Sequence, residues 1–272
     1  MWTLSGFSDE ISPDFTEQCE VVTGLGMTHV EVRSAWDVNI LDLTPEQLEK
    51  VKKTLSAYGL KVSSIGSPIG KIPITDDFAP HLERMRHAAE VAKLLDAPYI
   101  RIFSFFVQDP ASHRAEVIDR MRALTRVAEE ADLILLHENE KEIYGDVPSR
   151  CLDLIRSVGS PYLRLAWDPA NFVQVGVRPY TDGYAQLRPH IEYVQIKDAH
   201  LADGTVVPAG EGDGEVAETI RALRHDGFDG FFSLEPHLAA GHATGGFSGP
   251  DLFRTAHSAF TGLLKTEEIE FV

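Results

Sequence analysis

Four oxygen-bearing side chains recur at one kind of place in this sequence. Glu138 closes Leu135-Leu136-His137-Glu138 and Asp168 closes Leu165-Ala166-Trp167-Asp168. Gln195 sits in Tyr193-Val194-Gln195-Ile196-Lys197, and Glu235 closes Ser233-Leu234-Glu235. Each belongs to a short apolar run with the length of a buried strand. Any one of them alone reads as an ordinary loop residue or helix cap. Their recurrence at a similar depth would bring carboxylates and an amide together. Carboxylates sharing a dry site raise one another's pKa, and a divalent cation is the simplest compensator. Oxygen donors suit Mn²⁺, Mg²⁺ or Ca²⁺ better than soft metals. The set therefore predicts one divalent ion, Mn²⁺ first, with Mg²⁺ or Zn²⁺ as alternatives.

Strands that end together must hold these residues. Strand patterns fall at 4–8, 29–33, 61–66, 99–103, 133–138, 163–168, 193–197 and 231–235. Helical patterns follow at 15–25, 44–58, 77–95, 110–130, 148–158, 181–187, 215–225 and 250–264. The second opens on Thr44-Pro45-Glu46-Gln47, a capping box with Pro at the first helical position, and stops at Gly59. Strict strand–helix alternation argues for a parallel sheet. Eight such units in a chain of 272 residues argue for an α/β fold with a single (β/α)₈ TIM barrel. A doubly wound open sheet competes, but the first turn, Gly6-Phe7-Ser8-Asp9-Glu10, lacks the glycine fingerprint of dinucleotide binding. Residues 1–272 read as one domain, with 265–272 an acidic surface tail. Functional residues of such barrels lie at the carboxyl ends of the strands, where the four side chains fall.

Composition narrows the partners. Lys plus Arg is 25 against 42 Asp plus Glu, a net charge of −17, with 43% hydrophobic residues. That hydrophobic content excludes disorder. The acidic balance argues against nucleic acid, whose affinity comes from neutralising phosphates. The two cysteines, Cys19 and Cys151, show no metal-binding or disulfide spacing. No basic leader and no apolar run of about 18 residues is visible, so a cytoplasmic enzyme with a small-molecule substrate and no membrane partner is expected. Walker A and G-x-S-x-G motifs are absent.

The motifs together resemble the xylose isomerase-like TIM-barrel superfamily, in its sugar phosphate isomerase/epimerase group. They are Leu-His-Glu-Asn at 136–139, Trp-Asp-Pro-Ala-Asn at 167–171, Val-Gln-Ile-Lys-Asp at 194–198, Gly-Glu-Gly at 210–212 and Leu-Glu-Pro at 234–236. The resemblance implies one metal held by Glu138, Asp168, Gln195 and Glu235. Gln195 is a departure, because the family usually has His there; an amide oxygen shifts preference away from Zn²⁺, and His200 on the following loop is a substitute donor. The resemblance also makes Glu138 and Glu235 the acid/base pair on opposite faces of a carbohydrate. The implied activity is a metal-dependent isomerase or epimerase of a sugar, keto-sugar or related polyol derivative. Proton abstraction next to a carbonyl needs a base, a donor, and positive charge for the developing enediolate oxygen. A lyase or dehydratase, of the inosose dehydratase or C-glycoside-cleaving kind, shares that first step and is the alternative. A DNA-repair endonuclease and a metal-free carbohydrate-binding barrel rank lower. Related barrels often form homo-oligomers.

Further residues are candidates for substrate contact. Lys197 has the inward parity of Gln195 and offsets the carboxylates, or is a solvated lysine. Arg101 lies on one face of its strand with Phe103, and binds a hydroxyl, carboxylate or phosphate, or makes a structural ion pair. Lys71 follows the third strand in a Pro/Gly turn. Asn171 falls where related epimerases have a substrate-binding His. His237 shares the parity of Glu235. Glu31 and Arg33 either read hydroxyls or pair with each other, and outward-facing His137 has a packing or supporting role. Trp36, Phe103, Phe105, Phe106, Trp167 and Phe172 either stack on a sugar face or pack the core.

Overall fold

The strands are β1 Thr3–Gly6, β2 His29–Val32, β3 Lys61–Gly66, β4 Tyr99–Ile102, β5 Ile134–Glu138, β6 Leu163–Trp167, β7 Ile191–Ile196 and β8 Phe231–Leu234. In the computed structural model, which describes residues 1–239 and 248–272, they form one eight-stranded parallel sheet. β1 pairs with β8, β8 with β7, and the order then descends strand by strand to β2. A single parallel bridge, Phe7 to Glu31, joins β2 to the end of β1. The strands thus make a nearly closed (β/α)₈ barrel.

Helices α1 Phe15–Gly24, α2 Pro45–Tyr58, α3 Phe78–Leu94, α4 Pro110–Ala131, α5 Pro148–Val158, α6 Pro169–Gln174, α7 Val216–His225 and α8 Gly249–Thr266 surround it. Local chemistry sets their ends. Asp14 accepts from the backbone of Thr16 and Glu17 at the start of α1. The Thr44/Gln47 capping box starts α2, and Gly59 ends it in the left-handed conformation at φ 65°, which glycine adopts at little cost. Outward strand residues and inward helix faces share one large core including Phe15, Met85, Met121, Leu154 and Phe260. Inside the barrel, Leu136, Ala166 and Tyr193 pack with Tyr99, Ile134 and Phe231 and plug its amino-terminal end.

Three features depart from the sequence reading. Pro169–Gln174 is helical: Asp168 accepts the Asn171 backbone N–H at 2.8 Å and so caps a helix where only a strand end was expected. Short hairpins, Ser34–Ala35 with Val38–Asn39 and Asp198–Ala199 with Val206–Val207, rise above β2 and β7. The 265–272 stretch is more than a surface tail: Lys265 and Thr266 end α8, Ile269 is buried, and the last residues dock on the start of the chain, with Trp2 N–H donating to Glu270 O at 2.8 Å and Leu4 N–H to Val272 O at 2.7 Å. Among the described residues no helix is long and apolar enough to cross a membrane.

Candidate active site at the carboxyl end of the barrel

Glu138, Asp168 and Glu235 are buried, and each offers an oxygen within 4.8 Å of the others. Their positions follow from the strands that carry them. Glu138 is the last residue of β5. Asp168 follows β6 and is gripped from both sides by Asn139, which accepts the Asp168 N–H at 3.0 Å and donates to its carbonyl at 2.9 Å. Glu235 follows β8 and donates its N–H to Ile196 O at 3.1 Å.

Cationic groups face these carboxylates, Lys197 and Arg101 buried and Arg33 and His237 half-buried. Lys197 Nζ lies 3.0 Å from Asp168 and 2.8 Å from Glu235. Arg101 donates to Glu138 at 2.8 Å and lies against the rings of Phe7 and Phe103. Arg33 reaches Glu235 at 3.0 Å and divides its charge with Asp9 and Glu10. His237 bridges Glu10 at 2.9 Å and Glu235 at 3.3 Å. Burial pushes the Glu235 carboxyl up, but Lys197, His237 and Arg33 outweigh it and hold Glu235 well below the usual carboxylate range. Asp168 moves the other way, raised by burial and by repulsion from Glu138 and Glu235 despite Lys197. Burial opposes a charge on His237, yet Glu235 and Glu10 raise it to about 9.

These groups open into a cavity of about 640 Å³, lined also by Lys71, Asn171, Phe103, Phe106, Glu140 and Asp9. Lys71 sits over the Phe103 ring at 4.2 Å and pairs with Glu140 at 3.3 Å. Asn171 donates to Glu138 at 3.0 Å. Lys71, Arg101, Asn171, Lys197 and His237 thus all face one space.

Other residues settle alternatives that the sequence reading left open. Gln195 is in register with Ser233, one inward position before Lys197, and its amide nitrogen donates to Glu31 at 3.1 Å. Glu31 and Arg33 do not pair with each other: Glu31 accepts from Tyr193, Gln195 and Ser233, while Arg33 turns to Asp9, Glu10 and Glu235. Adjacent parity on a strand does not fix which neighbour a long side chain reaches. Trp36 packs on Phe15, Trp167 on Phe172 and Phe105 on Phe78, so of the six aromatics only Phe103 and Phe106 line the cavity. His200 is half-buried and faces Asp213. His137 is buried, pushed down to about 3 by burial, and shares a hydrogen bond of 2.9 Å with Ser104, a packing role. The sequence reading missed Asp9 and Glu10; their signal was an acidic pair directly after β1, at the functional end of a barrel strand.

The donor set fits a hard divalent cation. Three carboxylates converge, and Gln195 Oε1 is buried without a hydrogen-bond donor among the described residues.

A model of the xylose isomerase-like TIM barrel matches residues 19–256. The chain belongs to that family. A 3-dehydroshikimate dehydratase of Bacillus anthracis is 23% identical over 198 residues, covering 70% of this chain and 68% of the relative. A D-tagatose 3-epimerase-like protein has the same fold, with a TM-score of 0.77 at 15% identity over 98% of both chains. So does a xylose isomerase-like TIM barrel protein from Mycobacterium smegmatis in complex with magnesium, with a TM-score of 0.70 at 18% identity over 97% of this chain and 96% of that one. The chain is thus similar in sequence to a dehydratase and in fold to an epimerase-like protein.

Proposed function

We propose that this chain is a divalent-cation-dependent isomerase or epimerase of a small sugar, keto-sugar or polyol derivative. Its first step is proton removal next to a carbonyl. The observation that carries the reading is the buried triplet of Glu138, Asp168 and Glu235 within 4.8 Å at the mouth of a 640 Å³ cavity. Glu138, Asp168 and Glu235 would hold the cation, with Gln195 as a further oxygen donor. Mn²⁺ is the first candidate, and the magnesium complex of the M. smegmatis relative supports the same hard-ion class. A bound divalent cation supplies a Lewis acid for the substrate carbonyl.

The chain's own groups supply the rest. Glu138 and Glu235 project from β5 and β8, so one takes the proton and the other gives one back. Arg101 and Asn171 fix both oxygens of Glu138, which limits its rotation. Lys197 orients Asp168 and Glu235 together. Phe103 and Phe106 offer apolar walls, and Lys71, mounted on Phe103, reaches a substrate oxygen.

A second reading is elimination of water, the chemistry named for the B. anthracis relative. His237 favours it: it lines the cavity beside Glu10 and Glu235, whose charges favour its protonated form, and it supplies a proton to a departing hydroxyl.

Incubation in D₂O with a panel of keto-sugars and with 3-dehydroshikimate, followed by NMR, separates the readings. Deuterium entering next to the carbonyl without loss of water is the expected result. An unsaturated product establishes the dehydratase, and no exchange with any compound overturns both. Glu138→Gln and Glu235→Gln are each expected to abolish exchange; an active double variant removes them from acid/base roles.

A further inference from the structure

Glu31 lies inside the barrel beneath the carboxylates, fully buried. One of its oxygens, Oε2, accepts three side-chain donors: Ser233 Oγ at 2.7 Å, Tyr193 OH at 3.0 Å and Gln195 Nε2 at 3.1 Å. Tyr193 OH also shares a 2.8 Å hydrogen bond with Ser63 Oγ, which lies 2.6 Å from Ser5 Oγ. Side chains from β1, β3, β7 and β8 therefore fix Glu31 in place. A carboxylate accepts hydrogen bonds and an amide has distinct donor and acceptor ends. Glu31 consequently chooses which end of Gln195 faces it: the nitrogen. The other end, Oε1, is committed away from Glu31 and has no donor among the described residues, although the side chain is fully buried. A buried acceptor left bare in this way is costly. The last paired position between β6 and β7, Trp167 with Val194, places Gln195 beside Asp168, whose Oδ2 meets Lys197 Nζ at 3.0 Å.

We propose that Glu31 is a positioning residue that locks the Gln195 amide so that Oε1 donates an electron pair to the cation held by Glu138, Asp168 and Glu235. The inference rests on the reading that this site takes a divalent cation. Groups that orient a ligand commonly change metal affinity when removed, because a misdirected ligand is a lost ligand. For an amide the effect is sharper: turned over, Gln195 would present N–H groups to a cation. An oxygen at this position is also harder than imidazole and favours Mn²⁺ or Mg²⁺ over Zn²⁺.

The test is calorimetric and EPR titration of Mn²⁺ into the wild type, Glu31→Gln, Gln195→Met and the double variant, with melting temperatures measured alongside. Wild type is expected to bind one ion. Glu31→Gln is expected to weaken binding about tenfold or more, because an amide at 31 no longer selects the orientation of Gln195. Gln195→Met keeps the shape and removes the oxygen, and is expected to lose a similar factor. The double variant is expected to bind no more weakly than Gln195→Met. A merely structural Glu31 would lower the melting temperature and add its loss to that of Gln195→Met. Additive losses, or unchanged affinity in folded Glu31→Gln, overturn the inference and leave the cation site standing. Should Glu31→Gln fail to fold, wild-type affinity in Gln195→Met is enough to overturn it. A wild type that binds no Mn²⁺ overturns the cation reading itself, and the inference with it.

Discussion

Lys197 decides the electrostatics of the mouth. Its ammonium is shared by Asp168 and Glu235, and burial alone would strip its charge, but those carboxylates together with Glu138 keep it well above the ordinary lysine range. Removing one member of a buried ion pair strands the others, at a cost of roughly 3–5 kcal/mol. Lys197→Met is therefore expected to destabilise the protein by about 3 kcal/mol without divalent ions, and to regain part of that loss when Mn²⁺ is added. Denaturant unfolding with and without Mn²⁺ measures both. A variant with no added response to Mn²⁺ would show that the carboxylates do not hold a cation.

At the scale of the elements, one imidazole joins the backbone bonds from Phe103, Phe105 and Phe106 in holding the β3–α3 loop. His81 on α3 is buried, and its Nε2 accepts the Gly70 N–H at 2.7 Å. Gly70 needs its φ of 89°, and a Cβ there would meet Phe103 O at 2.0 Å, so the loop passes too close to the end of β4 for any other residue. Burial, with Arg84 and Arg120 nearby, pushes His81 down to about 4. A folded-state pKa below the unfolded value means that the unfolded chain binds the extra proton first. The stability from neutral His81 is complete above about pH 6.5 and is lost as pH falls towards 4, with a slope approaching about 1.4 kcal/mol per pH unit. His81→Gln is expected to flatten that slope, as read from urea midpoints between pH 7 and pH 4. An unchanged slope would place the acid sensitivity elsewhere. Because Lys71 follows Gly70, loosening this loop is also expected to raise KM more than it lowers kcat.

At the scale of the whole molecule, the chain ends support the barrel far from the chemistry. Trp2 stacks on Phe232 with ring centroids 4.1 Å apart, and the last residues hydrogen-bond on both sides of it: Glu270 O accepts from Trp2, and Val272 N–H donates to Trp2 O at 2.9 Å. Ile269 is buried among the core residues. Deleting residues 269–272 exposes an apolar side chain and several backbone groups, which should cost about 2 kcal/mol or more. The expected outcome is an earlier unfolding transition with ion binding intact, because the site lies at the other end of the strands. Loss of Mn²⁺ affinity in the folded truncation would contradict that separation.

The sequence by itself determined the architecture and the chemical palette. Strand and helix periods, caps such as Thr44/Gln47, and the repeated acidic residue after a strand are local signals, and each is set within a few residues of chain. Tertiary structure decided the pairings. Arg33 passing over Glu31 to reach Asp9, Glu10 and Glu235, and Gln195 turning its nitrogen to Glu31 across the barrel, depend on residues 24 to 202 positions apart. Side-chain parity gives only the face of a strand. Partner choice inside a barrel depends on which strands are brought opposite one another and on the cost of leaving any buried charge alone, and neither quantity is written in a local stretch of sequence.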